Sequence, residues 1–368
     1  MCGIAALAGS SSPALVEAVL GRLGRRGPDQ SRALRSPARD CWLCAAVLNV
    51  QGSLTAQPLA DDEGNLLLWN GEVFAHPVDR LPSEDCDSRF VARLLGEAVR
   101  TGPLEEVAQR TAGVLSEVQG PFAFVLLVGR LGALLCGRDP FGRRSLLALL
   151  GDGGVAGVSS VSAGEEGLLW EELSPDGVFF SPLSPGLPWR LELARWPSSR
   201  TRLGELSTNL HLPRLGPEAA ARAFLQVLVA ALGRRLRLLA ESPTSAGRVG
   251  VLFSGGVDSA LLAAALSLCL PPEEPIDLVN VSFLGGGAEP SPDRLAGLAA
   301  LLELRRVFPS REFRLVMVDV SELERRASQE LVLRLIRVLA LTRPSGLTYA
   351  APPHAHGPQH RPGLLLRG

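Results

Sequence analysis

Over roughly the first 180 residues, apolar positions come in short runs separated by Gly, Asp and Pro. CWLCAAVLNV, NLLLWNGEVF, FAFVLLVGR, GALLCGRD and RRSLLALL each have the length of a buried strand. Two stretches change to a helical period. SPALVEAVLGRLGRR opens on Ser12 and Pro13, a capping residue followed by proline at the first helical position. SRFVARLLGEAVR puts Phe90 and Leu94 on one face with Val91 or Ala98. Many strands with two helices predict a layered α+β domain ending near residue 185.

Between Ser181 and Leu215 the chain is punctuated by Pro182, Pro185, Pro188, Pro197 and Pro213, a composition of linker or edge material. A long helical pattern follows in PEAAARAFLQVLVAALGRRLRLLAE, with Phe224, Val227, Leu228, Ala231 and Leu232 at helical spacing. The rhythm then alternates. GRVGVLFSGG, PIDLVNVSF and FRLVMVDV read as strands. SALLAAALSLCL, DRLAGLAALLELRRVF and SELERRASQELVLRLIRVL read as helices, the last opened by Ser321. Strand and helix in turn predict a second, α/β domain with a doubly wound parallel sheet. After about Leu341 the sequence is rich in Pro, Gly and His without periodicity and reads as a disordered tail.

Composition narrows the class. The chain has 368 residues, 46% hydrophobic and 20% charged, with a net charge of -1. That supports a sizeable core and gives no global field to attract nucleic acid or an acidic membrane surface. No run is long and apolar enough to cross a bilayer, and MCGIAALAG lacks the charged flank of a signal peptide. All 37 basic residues are arginine, so no lysine is available for catalysis. The 6 cysteines form no secreted disulfide framework, which fits a reducing cytoplasm. Cys41 and Cys44 have the spacing of a redox or zinc pair, but their apolar neighbours favour structural burial.

Cys2 carries the first chemistry. Removal of Met1 would leave a thiol and a free α-amine on one residue, and such an amine titrates near neutrality and can act as the thiol's base. RGPD, Arg26 to Asp29, forms a turn after the first helix. Asn70, Gly71 and Glu72 follow an apolar strand ending in Trp69. An Asn side chain and a Gly N–H are oxyanion donors, although an isolated Asn-Gly is more often a hairpin turn.

MCGI, RGPD, QPL (Gln57 to Leu59), WNGE, VQGPFAFVLL and GRDPFGRRSL occur in the order found in class II glutamine amidotransferase domains. The chain resembles the asparagine synthetase family over residues 2–185 and again over 218–338. The resemblance implies a layered α-β-β-α domain of N-terminal nucleophile type, with Cys2 as nucleophile and Asn70 and Gly71 as oxyanion stabilisers. It also implies Glu72 and Asp87 as contacts to a glutamine substrate, and Arg138 with Asp139 as an ion pair beneath the site. One position departs from the pattern. The family has an arginine before QPL that grips the glutamine α-carboxylate, whereas Ala46 or Val47 stands here. Glutamine capture is therefore expected to be weak unless another arginine reaches in.

SGGVDS, Ser254 to Ser259, lies between a strand and a helix, where successive N–H groups meet the helix dipole and favour phosphate. The GK[ST] of a Walker loop is absent. The motif resembles the pyrophosphate loop of ATP pyrophosphatases. Leu252, Ser254, Gly255, Gly256, Asp258 and Ser259 are then the expected ATP contacts, with Asp258 holding magnesium. The family's second acidic loop and downstream lysine are missing, so this synthetase half is expected to be incomplete, with a linker at 186–217 and the tail at 339–368. His354, His356 and His360 fall in that tail. The resemblance implies glutamine, and aspartate as acceptor, as small-molecule partners. It leaves open a homodimer or another protein partner, and also a scaffold without turnover.

Overall fold

The structure is a computed structural model and describes residues 1–36, 40–49, 53–77, 86–165, 167–197, 216–240, 249–284 and 291–336. The expected tail and most of the expected linker lie outside these residues.

Twelve strands build two six-stranded antiparallel sheets. One has the order β10-β8-β9-β1-β3-β2, the other β12-β11-β7-β6-β5-β4. The first joins β1 (Gly3–Ala8), β2 (Gln30–Ser36), β3 (Cys41–Val47), β8 (Leu147–Gly151), β9 (Gly154–Ser159) and β10 (Leu169–Glu172). The second joins β4 (Leu59–Ala60), β5 (Leu66–Gly71), β6 (Phe122–Val128), β7 (Ala133–Arg138), β11 (Gly177–Pro182) and β12 (Glu192–Arg195). Because side chains alternate along a strand, each apolar run serves two interfaces at once. Ile4, Ala6, Leu43, Ala45, Leu68, Ala123, Val125 and Phe179 meet between the sheets. Ala5, Leu7, Cys44 and Ala46 turn outward under α1 (Pro13–Gly24). Leu67, Trp69, Phe122, Phe124 and Val178 turn outward on the other sheet, under α2 (Asp87–Val99) and α3 (Leu104–Ser116). The result is the expected α-β-β-α layering. Strands covered on both faces explain why the sequence shows continuous apolar runs rather than strict alternation.

Ser12 caps α1 as expected, its hydroxyl accepting from Leu15 N–H at 3.2 Å. Helix α3 is an addition to the two helices read from the sequence. Its Val107, Ala108, Ala112 and Leu115 are buried at helical spacing behind Pro103. Strand β12 falls in the proline-punctuated region and forms the edge of its sheet, pairing with β11. Cys41 and Cys44 are both buried, and neither forms a disulfide. Three residues apart on a strand, they face opposite sides of the sheet, Cys41 inward and Cys44 toward α1. They cannot share a metal or a disulfide, and burial pushes the Cys44 thiol up to about 12.

In the second half, α4 (Pro217–Ala240) precedes a parallel sheet of order β13-β14-β15. Its strands are Val249–Leu252, Ile276–Leu284 and Phe313–Ser321. Between them run α5 (Val257–Ser267) and α6 (Pro292–Val307), which share one apolar core with the sheet through Ala263, Leu266, Leu301 and Leu304. Helix α7 (Glu322–Ile336) starts on a capping box. Ser321 Oγ accepts from Glu324 N–H at 3.2 Å, while Glu324 accepts from Ser321 N–H at 2.8 Å.

Candidate active site

Cys2 continues the alternation of β1 and has the parity of Ile4 and Ala6, so it points toward the space between the sheets. Asn70 has the parity of Leu68 on β5 and points into the same space. The two meet in an open cleft lined by Cys2, Leu48, Asn70, Gly71, Glu72, Asp87 and Arg144 among others. All five residues expected for the amidotransferase site are therefore brought together.

The Cys2 sulfur accepts from Leu48 N–H at 3.4 Å and lies 3.7 Å from Leu48 O. Burial raises the thiol above its ordinary value, partly opposed by Leu48, the N-terminal amine and Arg144 and Arg26. At neutral pH the thiol is protonated, and a base must take its proton. The Met1 amine, half-buried in the same cleft, is lowered chiefly by desolvation.

The RGPD turn fixes this residue. Arg26 donates from Nε to Cys2 O at 3.2 Å and from Nη1 to Ser145 Oγ at 2.9 Å and Ser160 O at 3.2 Å. Asp29 accepts from Asn49 N–H at 2.7 Å, which anchors the backbone facing the sulfur. Gly27 has no room for a side chain, since a Cβ there would sit 2.2 Å from Ala46 O. The sequence marked RGPD only as a turn; its work as a clamp on the Cys2 carbonyl needed the fold to be seen.

Just after β5, Glu72 N–H donates to Pro121 O at 3.0 Å. Antiparallel alternation then turns Gly71 N–H to the opposite edge. That is the edge where Gln57 stands in for a strand, exchanging bonds with Trp69 N–H at 2.7 Å and Trp69 O at 3.0 Å. Asn70 is 1% exposed, and its Nδ2 has no hydrogen-bond partner among the described residues. Asp87 opens α2 and is 9% exposed. Its Oδ2 accepts from Val73 N–H at 3.1 Å, while Oδ1 has no partner among the described residues. Burial, with a smaller contribution from Glu72, raises its carboxyl from 3.8 to about 7. Beside a cleft, such atoms can be satisfied by a ligand or by water.

Arg144 was not among the expected site residues. It reaches the cleft from the turn after β7 and pairs with Glu72 at 2.8 Å. Arg138 and Asp139 are buried beneath, but they do not pair with each other as expected. Arg138 bonds Glu172, and Asp139 pairs with Arg143 at 2.9 Å while accepting N–H groups from Phe122, Phe141 and Arg143.

The glycine loop lies at the carboxyl end of β13, leading into α5. Gly255 has φ of +84°, and a Cβ there would meet the Ala296 backbone at 2.3 Å. Ser254 Oγ accepts from Gly256 N–H at 3.3 Å and lies 3.4 Å from Ser259 Oγ. Ser254, Gly256 and Asp258 are exposed, and the Leu252 side chain is 81% exposed. Among the described residues there is no cluster of three or more His, Cys, Asp or Glu able to hold a metal, and no helix long and apolar enough to cross a membrane.

Residues 1–170 match the family model described as a glutamine amidotransferase domain. The asparagine synthetase domain-containing protein 1 of Mus musculus is 27% identical over 438 aligned positions, covering 87% of this chain and 68% of the mouse protein. The Homo sapiens protein of the same name is 26% identical, covering 94% of this chain and 70% of its own. A glutamine-hydrolysing asparagine synthetase 2 of Lotus japonicus is 28% identical over 72% of this chain and 42% of its own. Among solved structures, a glutamine phosphoribosylpyrophosphate amidotransferase from B. subtilis aligns with a TM-score of 0.43 at 13% identity, covering 86% of this chain and 90% of its own. Residues 1–170 thus match the glutamine amidotransferase domain model, in a chain similar along most of its length to the asparagine synthetase domain-containing proteins.

Proposed function

We propose that the N-terminal domain hydrolyses glutamine to glutamate and ammonia, with Cys2 as nucleophile once Met1 has been removed. The reading rests on one observation, the buried and unpartnered Asn70 Nδ2 facing the cleft that holds the Cys2 thiol. Removing Met1 moves the free amine onto the residue that carries the thiol. That amine takes the thiol proton as sulfur attacks the side-chain amide carbon. The developing oxyanion would accept from Asn70 Nδ2 and Gly71 N–H. The tetrahedral adduct collapses, the carbon–nitrogen bond breaks, and the protonated amine returns its proton to the leaving ammonia. Water then attacks the thioester by the same steps, releasing glutamate and restoring the thiol. Glu72 and Asp87 hold the substrate ammonium.

Asn70→Ala tests this directly. Loss of one oxyanion donor lowers kcat about 100- to 1000-fold with little change in KM. An unchanged kcat, or no ammonia release by the processed wild-type chain, refutes the reading.

For the second half, Ser254, Gly255, Gly256 and Ser259 suit a pyrophosphate, with two hydroxyls, a helix N-terminus and a left-handed glycine gathered at one strand end. Asp258 is a single carboxylate and would hold magnesium only with phosphate oxygens and water completing the shell. Leu252 would flank the nucleotide at the end of β13. Bound ATP would supply activation of a carboxylate such as aspartate by adenylation. We assign this half nucleotide binding through that glycine loop. A cytoplasmic location remains part of this proposal, since none of the 6 cysteines forms a disulfide.

A further inference from the structure

Met1 lies at the mouth of the cleft, where its sulfur contacts the guanidinium of Arg144. When Met1 leaves, Arg144 loses that contact at Nη1, and its buried Nε has no hydrogen-bond partner among the described residues. Only Nη2 stays engaged, with Glu72 at 2.8 Å. The side chain is 11% exposed. We propose that Arg144 binds the α-carboxylate of the substrate, replacing the arginine absent from the segment before Gln57, and thereby restricts the site to glutamine with a free carboxylate. This rests on the cleft being the glutaminase site.

Three observations select Arg144. It is the one arginine among the described residues lining the cleft, where the wall preceding Gln57 offers Val47, Leu48 and Asn49. Arg26, the other nearby cation, is already committed to Cys2 O, Ser145 Oγ and Ser160 O. The turn that presents Arg144 is rigid. Arg138 Nη2 donates to Gly142 O at 2.8 Å, and the buried Asp139 collects the N–H groups of Phe141 at 3.1 Å and Arg143 at 3.0 Å. An α-amino acid carries its two charges on a single carbon. Glu72, bonded to Arg144 and close enough to raise the Asp87 carboxyl, places the acceptors for the ammonium directly beside this cation. Guanidinium and carboxylate match in a charge-assisted geometry that an α-carboxamide cannot reproduce.

The test is calorimetric binding to the full chain carrying Cys2→Ala, with Met1 removal verified by intact mass. The ligands are L-glutamine and L-glutaminamide, which differ only at the α-carboxylate. The Cys2→Ala chain is expected to bind glutamine about 10- to 100-fold more tightly than glutaminamide. Adding Arg144→Met should weaken glutamine to the level of glutaminamide and leave glutaminamide unchanged, with Arg144→Lys intermediate. Three results overturn the proposal: no preference for glutamine in the parent, a preference that survives Arg144→Met, or equal weakening of both ligands. Loss of the glutaminase reading appears separately, as intact discrimination in binding with no Cys2-dependent ammonia release.

Discussion

Asp87 is a carboxylate whose ionisation opposes folding, and replacing it with Asn makes that cost measurable. Its carboxyl titrates at about 7 in the folded chain against 3.8 ordinarily, mainly because the group is buried. The folded state therefore binds the proton more tightly than the unfolded state, and stability falls as pH rises from about 4 to about 7. The slope is about 1.36 kcal/mol per pH unit across that window. Integrated, the ionised carboxylate costs near zero at pH 3, about 1.6 kcal/mol at pH 5 and about 4 kcal/mol at pH 8. Asn at this position removes the charge, and its side-chain oxygen can still accept from Val73 N–H, a bond of 3.1 Å in the parent. Asp87→Asn should thus be more stable than the parent by an amount that grows with pH, read from urea unfolding at pH 5 and pH 8. The same change removes a charged contact to the substrate ammonium and should raise KM for glutamine about 10- to 100-fold. The rise of kcat/KM through pH 7 expected of the parent should disappear with it. A stability change that is independent of pH, or destabilisation at pH 8, would show that the carboxylate does not bear this desolvation and would refute the argument.

Gly71→Ala should destabilise the domain by about 1–3 kcal/mol in a thermal melt, since a Cβ there would sit 2.7–2.8 Å from Phe122, Pro121 and Trp69 atoms; a wild-type melting temperature would contradict the packing described. A preparation that retains Met1, identified by intact mass, should release no more ammonia than Cys2→Ala, because the amine then sits one residue away from the thiol. Asp258→Asn should leave glutaminase rates unchanged, since Asp258 sits on the glycine loop of the second half and does not line the Cys2 cleft; a fall in ammonia release would contradict that separation.

Much of the site was legible because its chemistry is local in sequence. Asn70, Gly71 and Glu72 are consecutive, Cys2 stands at the second position, and Asp87 opens a helix that its own apolar spacing announces. Arg144 was harder to place. It sits in a turn whose neighbours, Arg138 and Arg143, carry the same charge, and only the folded turn shows which of the three faces the cleft. Arg138 goes to Glu172 and Arg143 to Asp139. The clamp of Arg26 on Cys2 O was hidden for the same reason, joining residues 24 positions apart. In the fold, although β1, β9 and β11 were not singled out, the buried β3, β5, β6, β7 and β8 announced themselves as apolar runs. Strands β2 and β12 did not, being short or half-exposed at sheet edges. Helix α3 was readable in hindsight from Glu105 and Glu106 in its first turn and the buried spacing of Val107, Ala108, Ala112 and Leu115. In the second half, Ser254 to Ser259 marked the strand-to-helix turn correctly, because Gly255 adopts a φ of +84° that other residues resist.

The central claim concerns Cys2. Ammonia release from glutamine should be measured on chain with Met1 shown by intact mass to be removed, beside the identically processed Cys2→Ala chain. Release is expected from the former and none above background from the latter. Equal release from both chains would contradict it.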